Sequence, residues 1–325
     1  MLVAAVDLGG TKIRSIVVDR AGRIRGTDQR SSEAAGGPEV VIRRMVESVR
    51  AAVAASGARM DDLAAVGVAA PGPVDFERGV ILEAPNLPGW HSVPLGAILS
   101  ERLGRPTYLE NDANAAAAGE HRFGAGLGVQ DMIYLTISTG IGGGLILNGQ
   151  LYRGVDGTAG ELGHIVVDES GPLHSCGMRG CLEIMASGTA IARMAHEAVE
   201  AGRSQALRRA AEAGELTSRD VDRAAAAGDP AAWEILARAA HNLAIGLADF
   251  INIFNPQLFV VGGGAAHIWD RLIAPAFAEA EQLAFARPAA TARLLPAALG
   301  EDSGALGAAA LAMESVGHPP LPPKR

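Results

Sequence analysis

The sequence predicts an α/β protein built in two lobes. Apolar runs short enough for strands alternate with longer segments of helical period. Two of the strand pairs are interrupted by glycine-rich turns, at residues 7–12 and 138–144. A chain of 325 residues with 49 % apolar content can also fill two ordinary cores.

Taken in order, residues 2–6 form an apolar strand, Asp7-Leu8-Gly9-Gly10-Thr11-Lys12 turns the chain, and residues 13–18 return as a second strand. Residues 38–56 read as a helix, because Val41, Met45, Val49 and Val53 recur at a spacing of four and Pro38 stands in the first turn. An apolar run at 64–70 ends in Pro71-Gly72-Pro73, and a strand at 106–109 precedes an Ala-rich helix. Residues 132–137 and 145–147 flank the second glycine-rich turn. An irregular stretch follows as far as Cys181, then an Ala-rich helical region at 188–254. A strand at 258–261 runs into Gly262-Gly263-Gly264. The lobes are expected at 1–112 and 113–300, with a final helix at 302–314 returning to the first and a Pro-rich, disordered tail at 317–325.

The net charge of −8 offers no basic face for nucleic acid or an anionic membrane. The apolar stretches at 63–74 and 243–254 fall short of the roughly 20 residues a membrane helix needs. The start reaches Asp7 without a basic or long apolar segment, so no targeting peptide and a cytoplasmic location are expected. Small-molecule chemistry is the reading left standing.

Three clusters carry it. Glycines in Asp7–Lys12 let backbone amides approach phosphate oxygens, and a strand-end Asp can hold hydrated Mg²⁺. An ordinary hairpin turn explains the same residues equally well. The second turn, with Thr139 and Gly140, favours a polyphosphate gripped from two sides. In Glu110-Asn111-Asp112-Ala113-Asn114, Asn111 or Asp112 suits a helix N-cap, or else a carboxylate serving as general base. The third cluster is His164, His174, Cys176 and Cys181, a set of imidazole and thiol ligands suited to a closed, structural zinc site. A disulfide is disfavoured by the cytoplasmic reading.

Together these motifs resemble the ROK family of sugar kinases and sugar-responsive repressors. Ile137–Leu145 with Gly154, Gly160, Gly163 and His164 is similar to the family signature. Residues 7–12, 84–90, 110–114, 161–164, 176–183 and 260–264 are similar to its phosphate, sugar, catalytic, zinc and adenosine motifs, over residues 2–312. The resemblance implies a ribonuclease-H-like fold of the actin and hexokinase type with an interlobe active-site cleft. It also implies ATP, Mg²⁺ and structural Zn²⁺, a hexose substrate, and a homodimer or homotetramer. By motif, Asp112 is the base for the sugar 6-hydroxyl, and Gly72, Asn86, Asn111, Glu161, His164 and Glu183 contact the sugar. Asp7, Gly9, Gly10, Thr11, Lys12, Thr139, Gly140, Gly263 and Gly264 face the nucleotide. His164 serves both zinc and sugar.

One departure stands out, since the family carries three Cys and one His on zinc and this chain has His174 in place of the first Cys. A neutral imidazole gives the site one negative charge fewer, and Asp168 is the less suitable substitute. The resemblance implies a glucokinase-type enzyme, with an N-acetylhexosamine kinase or a fructokinase as alternatives. A repressor would need a winged helix before the first phosphate motif, which begins here at residue 7.

Overall fold

The structure, a computed structural model, describes residues 1–84 and 87–317. The expectations for Asn86 and for the tail beyond Gly317 lie outside the described residues. The chain divides into two compact units. One contains residues 1–130, 144–160 and 297 onward, and the other contains 131–143 and 161–296.

The first part of the chain forms β1 (Leu2–Leu8), β2 (Lys12–Asp19), β3 (Ile24–Ser31), α1 (Gly37–Ser56), β4 (Leu63–Ala70), β5 (Val74–Asp75), β6 (Val80–Glu83), β7 (His91–Val93), α2 (Leu95–Leu103), β8 (Thr107–Asn111) and α3 (Asp112–Phe123). It continues through β9 (Met132–Ile137), β10 (Ile141–Leu147), β11 (Gln150–Tyr152), α4 (Leu182–Ala186), α5 (Gly188–Glu200), α6 (Gln205–Ala213), α7 (Ser218–Ala226) and α8 (Pro230–Phe254). The last elements are β12 (Leu258–Gly262), α9 (Ala274–Leu283), α10 (Ala286–Ala289), β13 (Arg293–Pro296) and α11 (Ser303–Ser315). Two five-stranded sheets have the orders β3-β2-β1-β4-β8 and β11-β10-β9-β12-β13, and β5-β6-β7 form a small third sheet.

In the first sheet β1 pairs antiparallel with β2 and parallel with β4, which pairs parallel with β8. Both faces are covered, so the strands alternate between two cores. Val6 and Leu8 of β1 pack with Val41, Met45 and Val49 of α1 and with Leu95 and Leu99 of α2, whereas Val3 and Ala5 pack with Ala305, Ala308 and Ala309 of α11. Helix α1 ends at Gly57, whose φ of 73° gives the left-handed cap that an L side chain resists.

The second face is unusually tight. A Cβ on Gly307 would lie 1.6 Å from the Ala115 carbonyl oxygen, and one on Gly67 would lie 2.1 Å from that of Ala308. Backbone-to-backbone approach therefore replaces side-chain packing where α11 meets α3 and β4. Below this contact the fully buried Glu120 carboxylate accepts hydrogen bonds from the amides of Ala125 (2.9 Å), Ala298 (3.0 Å) and Leu299 (2.8 Å) and from the Ser303 hydroxyl (2.9 Å). The unit boundary accordingly differs from the one expected at residue 112: α3 belongs with the first sheet because its small residues and Glu120 are committed to α11 and the segment leading into it.

In the second unit β12 runs parallel to β9 and β13. The helical region expected at 188–254 is four separate helices, and β10 begins at Ile141, so the turn expected as far as Gly144 is shorter. Gly144 instead lies within β10, where a Cβ would meet that of Ala117 at 2.6 Å. None of the described helices is long and apolar enough to cross a membrane.

Replacing Glu120 with Ala would leave three backbone amides without an acceptor and the Ser303 hydroxyl with the Gly300 carbonyl alone, and should lower the unfolding free energy by at least about 3 kcal/mol in urea titrations.

Candidate active site

In the first unit the chain turns sharply between β1 and β2. The Gly9 amide donates to the Lys12 carbonyl at 2.9 Å, while the Ser32 hydroxyl and amide donate to the carbonyls of Gly10 (2.7 Å) and Thr11 (3.0 Å). Within a planar trans peptide N–H and C=O point in opposite directions, so the Thr11 amide faces away from Ser32. Lys12 is ion-paired to Glu301 (3.0 Å) and Arg14 to Asp302 (2.6 Å), which ties the turn to the start of α11.

Asp7 is the penultimate residue of β1 and is partly buried. A Cβ on Gly304 would come 3.1 Å from its carboxylate, so the small residue there is what admits it. Burial, and next the negative charge of Asp112, push the Asp7 carboxyl up to about 6, against the opposing pull of Lys12 and Arg14. The structure thus brings two of the expected functional carboxylates into electrostatic contact. A site that penalises its own negative charge is suited to a cation.

Asp112 is the exposed first residue of α3, and its Oδ1 accepts from the Ala113 amide at 2.8 Å. Asn111 is the N-cap: its Oδ1 accepts from the amides of Ala113 (3.0 Å) and Asn114 (3.2 Å), and its Nδ2 donates to the Gly72 carbonyl at 3.2 Å. Asn111 and Gly72, both expected on the sugar, are therefore bonded to each other, with one amide N–H of Asn111 left for a ligand. Gly72 has φ of 81°, and a Cβ there would meet the Glu83 carbonyl at 2.1 Å.

In the second unit the expected nucleotide residues converge. Gly263, with φ of 88°, sits where a Cβ would lie 2.5 Å from the Ile137 carbonyl, and a Cβ on Gly264 would lie 3.3 Å from the Ser138 hydroxyl. The end of β12 therefore abuts the turn that carries Thr139 and Gly140. Glu183 reaches this turn, its Oε2 accepting from the Ile141 amide at 2.7 Å.

The same carboxylate also faces the histidine and cysteine cluster. Ligand atoms of His164, His174, Cys176 and Cys181 all lie within 4.8 Å of one another. His174 Nδ1 is 3.1 Å from Cys176 Sγ and 3.3 Å from Cys181 Sγ, close to the roughly 3.6 Å edge that tetrahedral Zn–N and Zn–S bonds imply. Its Nε2 lies 3.2 Å from Glu183 Oε1. The His164 Nδ1 is buried and has no hydrogen-bond partner among the described residues, as suits a nitrogen kept for a metal. Burial, with the Cys176 charge beside it, pushes the Cys181 thiol up, a cost that a dication would relieve. The residues fit zinc. Asp168 stays outside the cluster, its carboxylate accepting from the Ser170 hydroxyl at 2.7 Å. Glu161 lies beside His164, with Oε2 3.7 Å from Nε2.

Sequence reasoning missed Glu301, Asp302 and Gly304, which lie about 300 residues from the turn they brace and belong to no recognisable motif.

The model of the ROK family matches residues 3–315. The glucokinase of Thermotoga maritima is 38 % identical over 313 residues, covering 96 % of this chain and 97 % of that protein. Among solved structures, the ROK hexokinase of Thermus thermophilus is 38 % identical with a TM-score of 0.82, covering 98 % of this chain and 99 % of that one. A ROK family glucokinase from Streptomyces griseus, in complex with glucose and AMPPNP, is 37 % identical with a TM-score of 0.82, covering 97 % and 100 %.

The raised Asp7 pKa has a stability consequence. Between about pH 4 and 6 the unfolded carboxyl has lost its proton and the folded one keeps it, so stability falls as pH rises through that window. Asp7→Asn should therefore unfold like the parent near pH 3.5 and be more stable above pH 6. The difference should be about 1–2 kcal/mol once solvent screening of a partly exposed group is allowed for. Urea titrations at both ends of that range check it.

Proposed function

The chain belongs to the ROK family, and from that premise we propose that it is an ATP-dependent hexokinase of the glucokinase kind, transferring the γ-phosphoryl group of ATP to the 6-hydroxyl of glucose. The observation that carries this reading is the pair of interacting carboxylates in the first unit, one at a strand end and one at the start of α3. Phosphoryl transfer needs an aligned acceptor, a carboxylate to take its proton, and positive charge around the moving group.

In this reading Asp112 accepts the proton of the 6-hydroxyl as that oxygen attacks phosphorus, and ADP leaves. Asp7 would face the Mg²⁺ that travels with ATP, and the cation would offset the burial and the repulsion from Asp112 that raise its pKa. The amide-bearing turns at Gly9–Lys12 and at Thr139–Gly140, with Gly263 and Gly264, receive the nucleotide. Asn111, Gly72, Glu161, His164 and Glu183 hold the remaining hydroxyls, a task for groups that donate and accept in fixed directions. His164, His174, Cys176 and Cys181 would hold a zinc ion, which would act as a structural centre orienting His164 toward the sugar. The enzyme works as a homodimer or homotetramer in the cytoplasm.

A coupled ADP-release assay over glucose, mannose, fructose, N-acetylglucosamine and N-acetylmannosamine tests the substrate. Glucose should lead by at least about tenfold in kcat/KM, and a lead for an N-acetyl sugar would overturn that assignment. Asp112→Ala should lose at least about 1000-fold in kcat while binding glucose within about threefold of the parent by calorimetry. Near-normal turnover would remove Asp112 from the base role.

The zinc assignment has its own measurement. Elemental analysis should give one zinc per chain. Cys181→Ser should lose most of the metal and raise the Kd for glucose at least about tenfold.

A further inference from the structure

The β8–α3 turn carries an ion pair whose cationic member lies in none of the motifs. Arg153, the residue immediately after β11, reaches back to β8: its Nε donates to Glu110 Oε2 at 2.6 Å. Glu110 is 4 % exposed. The Arg153 guanidinium also lies over the Phe76 ring, 4.8 Å from its centroid. The other carboxylate oxygen of Glu110 accepts from the Asn111 amide (3.1 Å) and from Asn114 Nδ2 (3.2 Å). One buried carboxylate thus links Arg153 to Asn111, the residue before Asp112, and to Asn114, two residues after it.

We infer that Arg153 is a positioning residue for phosphoryl transfer, fixing through Glu110 the β8–α3 turn that carries Asn111 and Asp112. The inference rests on the hexokinase reading above and adds to it a residue outside the family motifs.

A buried ion pair is weak evidence for stability, because apolar side chains of similar volume often replace one at no cost. Its strength lies in geometry. The Nε–H lies in the plane of a guanidinium that is itself stacked on the Phe76 ring, so it fixes the direction from which Oε2 is met, while Asn111 and Asn114 hold Oε1. Asn111 already spends its side chain on the α3 cap and on Gly72, and Glu110 holds its backbone amide. Once Arg153 is removed, the buried Glu110 carboxylate loses the donor on Oε2 and turns toward others, and the Asn111 amide moves with it. A displacement of about 1 Å at a reacting group costs on the order of 100-fold in rate, while hydroxyl contacts made elsewhere on the sugar keep its affinity.

Arg153 is also accessible for a test. It lines an open cavity of about 750 Å³, bounded by α3, the β10–β11 hairpin and α11, and on its other side a small one of about 40 Å³ beside Phe76 and Glu110. A small cation can enter by the first.

Steady-state kinetics of full-length Arg153→Ala, Arg153→Lys and the control Arg122→Ala decide the matter. Arg122 lines the same open cavity but pairs with the exposed Glu314. The parent must first phosphorylate a hexose, and if it does not, the hexokinase reading fails and this inference goes with it. Given that activity, Arg153→Ala should lose about 30- to 100-fold in kcat with KM for hexose and Mg–ATP within about threefold. Millimolar methylguanidinium should restore part of the loss. Arg153→Lys, which keeps the charge and the fold but not the fork, should stay at least about tenfold down, and Arg122→Ala should match the parent. Parent-like kcat in Arg153→Ala, full activity in Arg153→Lys, a loss confined to KM, or an equal loss in Arg122→Ala would each overturn the inference.

Discussion

The first unit is organised around the approach of α11 to α3 and β4, which only residues without side chains permit. Gly67, Gly119 and Gly307 bring carbonyl oxygens to positions that a Cβ would occupy. Contact at that distance is unforgiving, since any added atom collides with backbone and no rotamer change can relieve it. Glu120 then locks the arrangement electrostatically. Its carboxylate gathers three amides and a hydroxyl from both ends of the junction, a buried charge made tolerable by full hydrogen bonding. From that anchor the start of α11 is set, and with it Asp302, Glu301 and Gly304, the residues that brace the β1–β2 turn and admit the Asp7 carboxylate. The site chemistry in this unit is thus downstream of a packing constraint.

The electrostatics follow the same logic. Asp7 is held in a place that disfavours its charge, by burial and by Asp112, while Lys12 and Arg14 stand close enough to limit the penalty. Both cations are already engaged by Glu301 and Asp302, so neither neutralises the carboxylates outright. In the proposed reading a ligand bearing a divalent cation would relieve this penalty.

The strands with apolar runs, β1, β2, β4, β9 and β12, were legible in the sequence because burial on both faces removes polar residues from them. β3 was not: Ile24–Ser31 reads as Ile-Arg-Gly-Thr-Asp-Gln-Arg-Ser, an edge strand whose pairing comes from β2 rather than from its own pattern. The short strands β5, β6, β7, β11 and β13 carry too few residues for any period to show. Site residues inside motifs could be named, and His164, His174, Cys176 and Cys181 are indeed gathered together. Asn111 was ambiguous between cap and ligand contact because it is a cap in the structure and still retains a donor. Arg153, Asp302 and Gly304 were invisible, since a lone residue takes its meaning from a partner far away in the chain.

His174 shows how one substitution within a motif changes what a site can transmit. A thiolate has a single ligating atom and ends at the metal. An imidazole has two nitrogens on opposite sides of a rigid ring, and here one faces Cys176 and Cys181 while the other faces Glu183. A metal held by Nδ1 would fix the tautomer and leave Nε2 as a donor aimed at the carboxylate. Glu183 in turn accepts from the Ile141 amide, at the foot of the turn that carries Thr139 and Gly140. The zinc loop and the glycine-rich turn are therefore joined through two side chains in series. In the proposed reading the orientation of that turn would depend on whether the metal site is filled, a dependence that a cysteine at position 174 would not create.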